Sequence, residues 1–98
     1  MMEGEPIKFR ILELFNEKEG YWVQDIVPII QEEYSLKTDY GRGMVTYDIV
    51  ELVSAGFLKE GECKLDTEGI FHKDHLITYY SITSLGKNMY QEIVDRLS

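Results

Sequence analysis

The chain has 98 residues, with 10 lysines and arginines against 18 aspartates and glutamates, a net charge of −8. That length holds one domain with a modest core, and a 44% hydrophobic, 12% aromatic composition is too apolar for a disordered chain. No apolar run approaches membrane-spanning length, and the acidic balance excludes a protein that coats nucleic acid through bulk charge, while leaving room for a local basic site.

Residues 1–6, Met1-Met2-Glu3-Gly4-Glu5-Pro6, read as a flexible leader that is acidic and lacks the apolar core of a signal peptide. Ile7, Ile11, Leu14 and Phe15 then follow the i, i+4, i+7, i+8 spacing of an amphipathic helix, with Phe9 and Leu12 as a second apolar flank and Gly20 beyond its end. Tyr21-Trp22-Val23 is too short for a helix and rich in strand formers, which predicts a short strand. A second helix is expected over about 24–34. Asp25 suits its free N–H groups, and Pro28 is placed in its first turn, where a missing N–H costs little. Residues 35–41 form a polar connection. The third helix is expected over about 42–55, with Val45, Ile49, Leu52 and Val53 inward and Gly56 just past its end. Strands over about 57–65 and 75–82 flank the turn residues Asp66-Thr67-Glu68-Gly69. In the second strand Leu76, Thr78, Tyr80 and Ile82 share one face. Thr83 or Ser84 caps a last helix over 85–97.

This order predicts an α+β, mostly helical fold: a winged helix-turn-helix with a three-helix core, a two-stranded wing and a C-terminal helix, in a single domain over residues 1–98. In such a fold the third helix enters a DNA major groove. Its outward positions are Gly43, Tyr47, Glu51 and Ser54, flanked by Met44 and Asp48, with Arg42 the one cation near its start. Arg42, Met44, Thr46 and Tyr47 are therefore candidate DNA contacts, joined by Lys37 before the helix and by Lys64, His72 and Lys73 on the wing. Against them, residues 59–82 carry three lysines and five carboxylates, and His72 and His75 add charge only when protonated. Convergence of Lys37, Arg42, Lys64 and Lys73 on one face would favour DNA. Their dispersal would favour a protein partner in a transcription or chromosome complex.

Cys63, His72 and His75, spaced C-x8-H-x2-H, lack a second cysteine and match no common zinc arrangement, so no metal is expected. No phosphate loop, nucleophile elbow or paired-histidine motif is present, which argues against an enzyme and against a cofactor. The lone cysteine fits a reducing cytoplasm. On the last helix Leu85, Met89, Ile93 and Leu97 form one row and Tyr90 and Val94 a second, a broader face than one core needs. Met89, Tyr90, Ile93, Val94 and Leu97, with Phe9 and Leu12, are thus the candidate homodimer interface, centred on 85–97. A further expectation is a small aromatic ligand at a pocket lined by Trp22, Tyr21 or Tyr90.

Three segments resemble the PadR family of winged-helix transcriptional regulators. Gly20-Tyr21 is similar to the glycine-tyrosine after the family's first helix. Gly43-Met44-Val45-Thr46-Tyr47, leading to Leu52 and Gly56-Phe57-Leu58, looks like its recognition helix. Tyr79-Tyr80-Ser81-Ile82-Thr83-Ser84-Leu85-Gly86 is similar to the Y-Y-x-L-T-x-x-G exit from its wing. The chain departs from the pattern at Thr46, where the family's helix tyrosine falls, and at Ile77-Thr78, where an Arg-Lys pair is common. The resemblance implies a homodimer that binds an operator and represses transcription, dimerising through the first and last helices, with small aromatic ligands or drugs taken between them in some members.

Overall fold

In the computed structural model, which describes residues 5–97, the N-terminal apolar spacing becomes helix α1, Ile7–Glu17, with Ile11, Leu12, Leu14 and Phe15 buried. The expected leader lies in part outside the described residues. Its last two members do not fray: Glu5 is only 6% exposed, and its backbone carbonyl accepts a hydrogen bond of 2.8 Å from the Tyr34 hydroxyl. Strand β1, Gly20–Trp22, leads directly into α2, Val23–Glu33. Because α2 starts at Val23, Pro28 falls in its second turn rather than its first. The helix continues past it with Ile26, Val27 and Ile30 fully buried, so tertiary burial outweighs the lost backbone bond.

Helix α3, Asp39–Ser54, begins earlier than the spacing of its core residues suggests. Thr38 is the reason: its Oγ1 accepts the Gly41 N–H at 3.0 Å and satisfies one of the free donors of the first turn. The α2–α3 corner is tightened by the Gln31 side chain, which donates to the carbonyls of Leu36 and Thr38 at 2.8 and 3.3 Å. At the other end Gly56 takes φ of 85°, its N–H bonds to Val53 and that of Phe57 to Leu52, the paired bonds of a Schellman closure.

The chain then forms strands β2, Leu58–Leu65, and β3, Leu76–Ile82. The sheet is three-stranded, not a two-stranded hairpin: β1 pairs antiparallel with β3, in the order β1-β3-β2. Gly20, Tyr21 and Trp22 lie opposite Ser81, Tyr80 and Tyr79, a long-range pairing that no local periodicity encodes. The β2–β3 register shifts between Glu60 and Cys63, a bulge on the exposed edge strand. Tyr80 and Ile82 face the helices as expected, but Leu76 is 66% exposed and Ile77 is buried. Beyond the bulge Leu76 and Thr78 turn toward α3 across an open cleft, while Ile77 shares a recess on the other face with Leu65, Asp66 and Ile70 of the tip.

Helix α4, Ser84–Leu97, is anchored at its start. Thr83, not Ser84, is the cap: its Oγ1 accepts the Gly86 N–H at 3.0 Å and donates to the Gly56 carbonyl at 2.6 Å. Gly86 is buried against the Phe57 carbonyl, which a Cβ at this position would overlap. α1 contacts both α3 and α4, and Leu12 is only 3% exposed, so it belongs to the monomer core even where it lines the surface between α1 and α4. Phe15, Ile26, Ile30, Val45, Ile49 and Leu58 complete the centre of the core. None of the helices among the described residues is long and apolar enough to cross a membrane.

Candidate functional site

The outward row of α3 is apolar and aromatic. Tyr40 is 78% and Tyr47 62% exposed, with Gly43, Met44 and Val50 exposed between and beyond them. Tyr40 and Val50 extend the row expected from sequence. Tyr40 belongs to α3 rather than to the connection because the Thr38 cap starts the helix at Asp39, and Val50 stands one helical step beyond Tyr47 on the same face. Thr46 faces the same way only in part, and its hydroxyl is spent on its own helix, donating to the Arg42 carbonyl at 2.8 Å. Asp48 is half-buried, and burial raises its carboxyl above its ordinary 3.8. Glu51 is engaged with Lys8 of α1 at 2.6 Å.

Beside this row runs an open cleft of about 860 Å³ between α3 and the hairpin, whose walls include Arg42, Thr46, Tyr47, Phe71, His72 and His75. The hairpin tip that forms its far wall is built around Asp66. The Asp66 carboxylate accepts the backbone N–H groups of Ile70, Phe71 and His72 at 2.8, 2.7 and 2.7 Å. Those bonds, the Phe71 amide first, hold its carboxyl below the ordinary aspartate value. With the Asp66 backbone N–H donating to the His75 carbonyl and the Asp74 N–H donating to the Asp66 carbonyl, one residue fixes most of the tip backbone. Its role was missed at the sequence level, where Asp66 read only as a turn residue. The sole signal was an aspartate opening a ten-residue connection.

The four cations singled out from the sequence occupy different settings. Arg42 turns from solvent into the cleft, where Nη1 donates to the Phe71 carbonyl at 3.4 Å, lies 3.6 Å from Asp39, and the guanidinium stands 5.6 Å from the Phe71 ring centre. Lys37 is ion-paired with Glu32 at 2.6 Å at the α2–α3 corner. Lys64 lies over the Trp22 ring at 4.9 Å. Lys73 is exposed on the tip, beside Gly69. Of the four, Arg42 alone lines the cleft. His72 and His75 do come together, stacked at the tip, whereas Cys63 sits on β2 beside Thr78 at 3.4 Å.

The three rings named as alternative linings of an aromatic pocket, Trp22, Tyr21 or Tyr90, stand in three separate places. Trp22 meets Tyr79 edge to face, Tyr21 packs on Phe15 in the same manner, and Tyr90 stacks on Phe9 at 5.6 Å. A separate apolar groove of about 490 Å³ runs along α1 and α4, lined by Phe9, Leu12, Phe57, Met89, Ile93 and Leu97. It gathers five of the seven candidate interface residues. Tyr90 and Val94 lie on α4 outside its lining and are half-buried. Leu85 and Leu97 add exposed apolar area at the two ends of α4. No protein-family model matches the chain, and neither a curated protein nor a solved structure is significantly similar to it.

Proposed function

We propose that the chain is a winged-helix transcriptional repressor that binds operator DNA as a homodimer. The observation that carries this reading is the exposed outer row of α3, with its capped N-terminus, standing across an open cleft from a stiffened hairpin tip. In this reading α2 and α3 are the helix-turn-helix, α3 is the recognition helix and the β2–β3 hairpin is the wing. The resemblance of Gly43–Tyr47 and Tyr79–Gly86 to PadR regulators supports the same assignment. Tyr40, Met44 and Tyr47 meet base edges and sugars, Arg42 stands at the groove edge, and Lys73 and His72 reach the backbone. Lys37 and Lys64 keep supporting roles, since each is already engaged. A second copy covers the α1–α4 groove.

Fluorescence anisotropy against duplexes from the chain's own upstream region tests this. Binding at about 50 mM salt is expected, with a shallow salt slope. Two Arg42 and two Lys73 per dimer imply about −4 in log K against log salt. Arg42→Ala and Tyr47→Ala each weaken it by about tenfold, within the 1–3 kcal/mol usual for a specific contact. Absence of binding to any genomic duplex at low salt overturns the reading.

A second reading has a specific observation in its favour. The net charge is −8, three of the four candidate cations are engaged within the chain, and the α3 row is apolar and aromatic. In that reading the same face docks a protein, and Tyr47→Ala abolishes the complex while Arg42→Ala spares it.

A further inference from the structure

The wing tip is tied to α3 by contacts that neither reading of function uses. Asp66 orders the backbone of residues 70–72, which brings the Phe71 carbonyl to Arg42 Nη1 and the Phe71 ring beneath the guanidinium. Immediately after Phe71, His72 and His75 stack face to face, ring centres 3.6 Å apart and planes 9° from parallel. The His75 N–H donates to the His72 carbonyl at 3.0 Å, so the two rings ride on one turn. Both line the cleft that Arg42 also lines.

We propose that this stacked pair is a pH switch: the hairpin tip is latched to α3 while the His72 imidazole stacked on His75 is neutral and is released when His72 takes up a proton. A neutral His72 stacks on His75 at 3.6 Å without electrostatic penalty, whereas a His72 imidazolium shares the cleft with the Arg42 guanidinium. The groups around the pair are Asp39, Arg42 and Tyr47 from α3, Asp66, Lys73 and Asp74 from the tip, and Tyr80 from β3. Asp39 and Asp66 favour the proton, while burial, His75 and Arg42 oppose it and prevail, holding His72 below its ordinary 6.5. The folded chain therefore binds fewer protons than the unfolded chain just below that value. The latch is complete above pH 6.5 and is lost as the pH falls through the lowered value. Release would also place new positive charge on the wall facing α3. The switch belongs to the fold and stands whether the partner of α3 is DNA or protein.

An NMR titration of the full chain from pH 7.5 to 5.0 tests it, following the two imidazoles and the backbone amides of Arg42, Ile70 and Phe71. The expected result is a His72 midpoint below 6.5, amide shifts that track it, and falling order parameters over residues 70–75 on the acid side. His75→Phe keeps a ring in the stack without its charge, so it raises the His72 midpoint and removes the release. Arg42→Met raises the same midpoint with the stack intact. A His72 midpoint at or above 6.5, tip amides that do not follow it, or a midpoint unmoved in both variants overturns the proposal.

Discussion

Asp66 organises the hairpin tip as no other side chain in it does. A carboxylate that accepts three consecutive backbone N–H groups replaces the ladder bonds the connection lacks, and it is nearly out of contact with water. Asp66→Ala leaves those amides without a protein acceptor, so their hydrogen-exchange protection is expected to disappear while the helices keep theirs. The pH dependence follows from the same bonds. The unfolded chain protonates Asp66 near 3.8, and the folded chain resists protonation to a lower pH. Its stabilising contribution is full above that unfolded value and is lost as the pH falls through the depressed one. Protection of residues 70–72 that is already lost at pH 5 in a His75→Phe background, where the imidazole stack cannot act, would contradict this. The turn chemistry of Asp66 was legible in the sequence, but its three partners were not, because they depend on the path of residues 67–72 rather than on spacing.

At the scale of elements, the α3–β2 and β3–α4 junctions are one unit. Thr83 Oγ1 caps α4 and reaches back to the Gly56 carbonyl, while Gly86 lets α4 press on Phe57. Gly86→Ala forces a Cβ onto a backbone oxygen, and overpacking of that kind costs about 1–3 kcal/mol. A lowered midpoint in urea melts is expected, larger than that of Gly43→Ala, where a Cβ meets nothing within 4 Å. Equal midpoints for the two variants would show that the junction relaxes without cost. The helices themselves were readable, since Ile11, Phe15, Val45 and Ile49 keep a period of about 3.6 and are all buried. The start of α3 was misread because a cap is a hydrogen bond from one side chain, invisible to a search for apolar periods. The alternation along β3 was readable too, since Leu76, Thr78 and Tyr80 line the same cleft and Ile77 the opposite recess; what the alternation does not encode is that Leu76 stays exposed and Ile77 is buried against the tip.

For the whole molecule, the α1–α4 side separates stability from assembly. Leu12 closes the monomer core, so Leu12→Ala is expected to cost about 2–5 kcal/mol whatever the oligomeric state. Ile93 lines the open groove, so Ile93→Glu is expected to leave the monomer's melt nearly unchanged while reducing the mass in light scattering from two chains to one. A wild-type chain that is monomeric at micromolar concentration would remove the dimer from the proposal. Composition and apolar period were enough for an α+β class, mostly helical, and for the positions of its helices, because burial repeats along the chain with the geometry of the element. They were not enough for the pairing of β1 with β3, the settings of the cations or the meeting of His72 with His75. Those depend on segments far apart in the chain, or on turn geometry, and arise when the core closes. Arg42 illustrates the division. Its place at the head of the third helix was readable from the sequence, but its engagement with Phe71, 29 positions away, exists only because the hairpin folds back over α3.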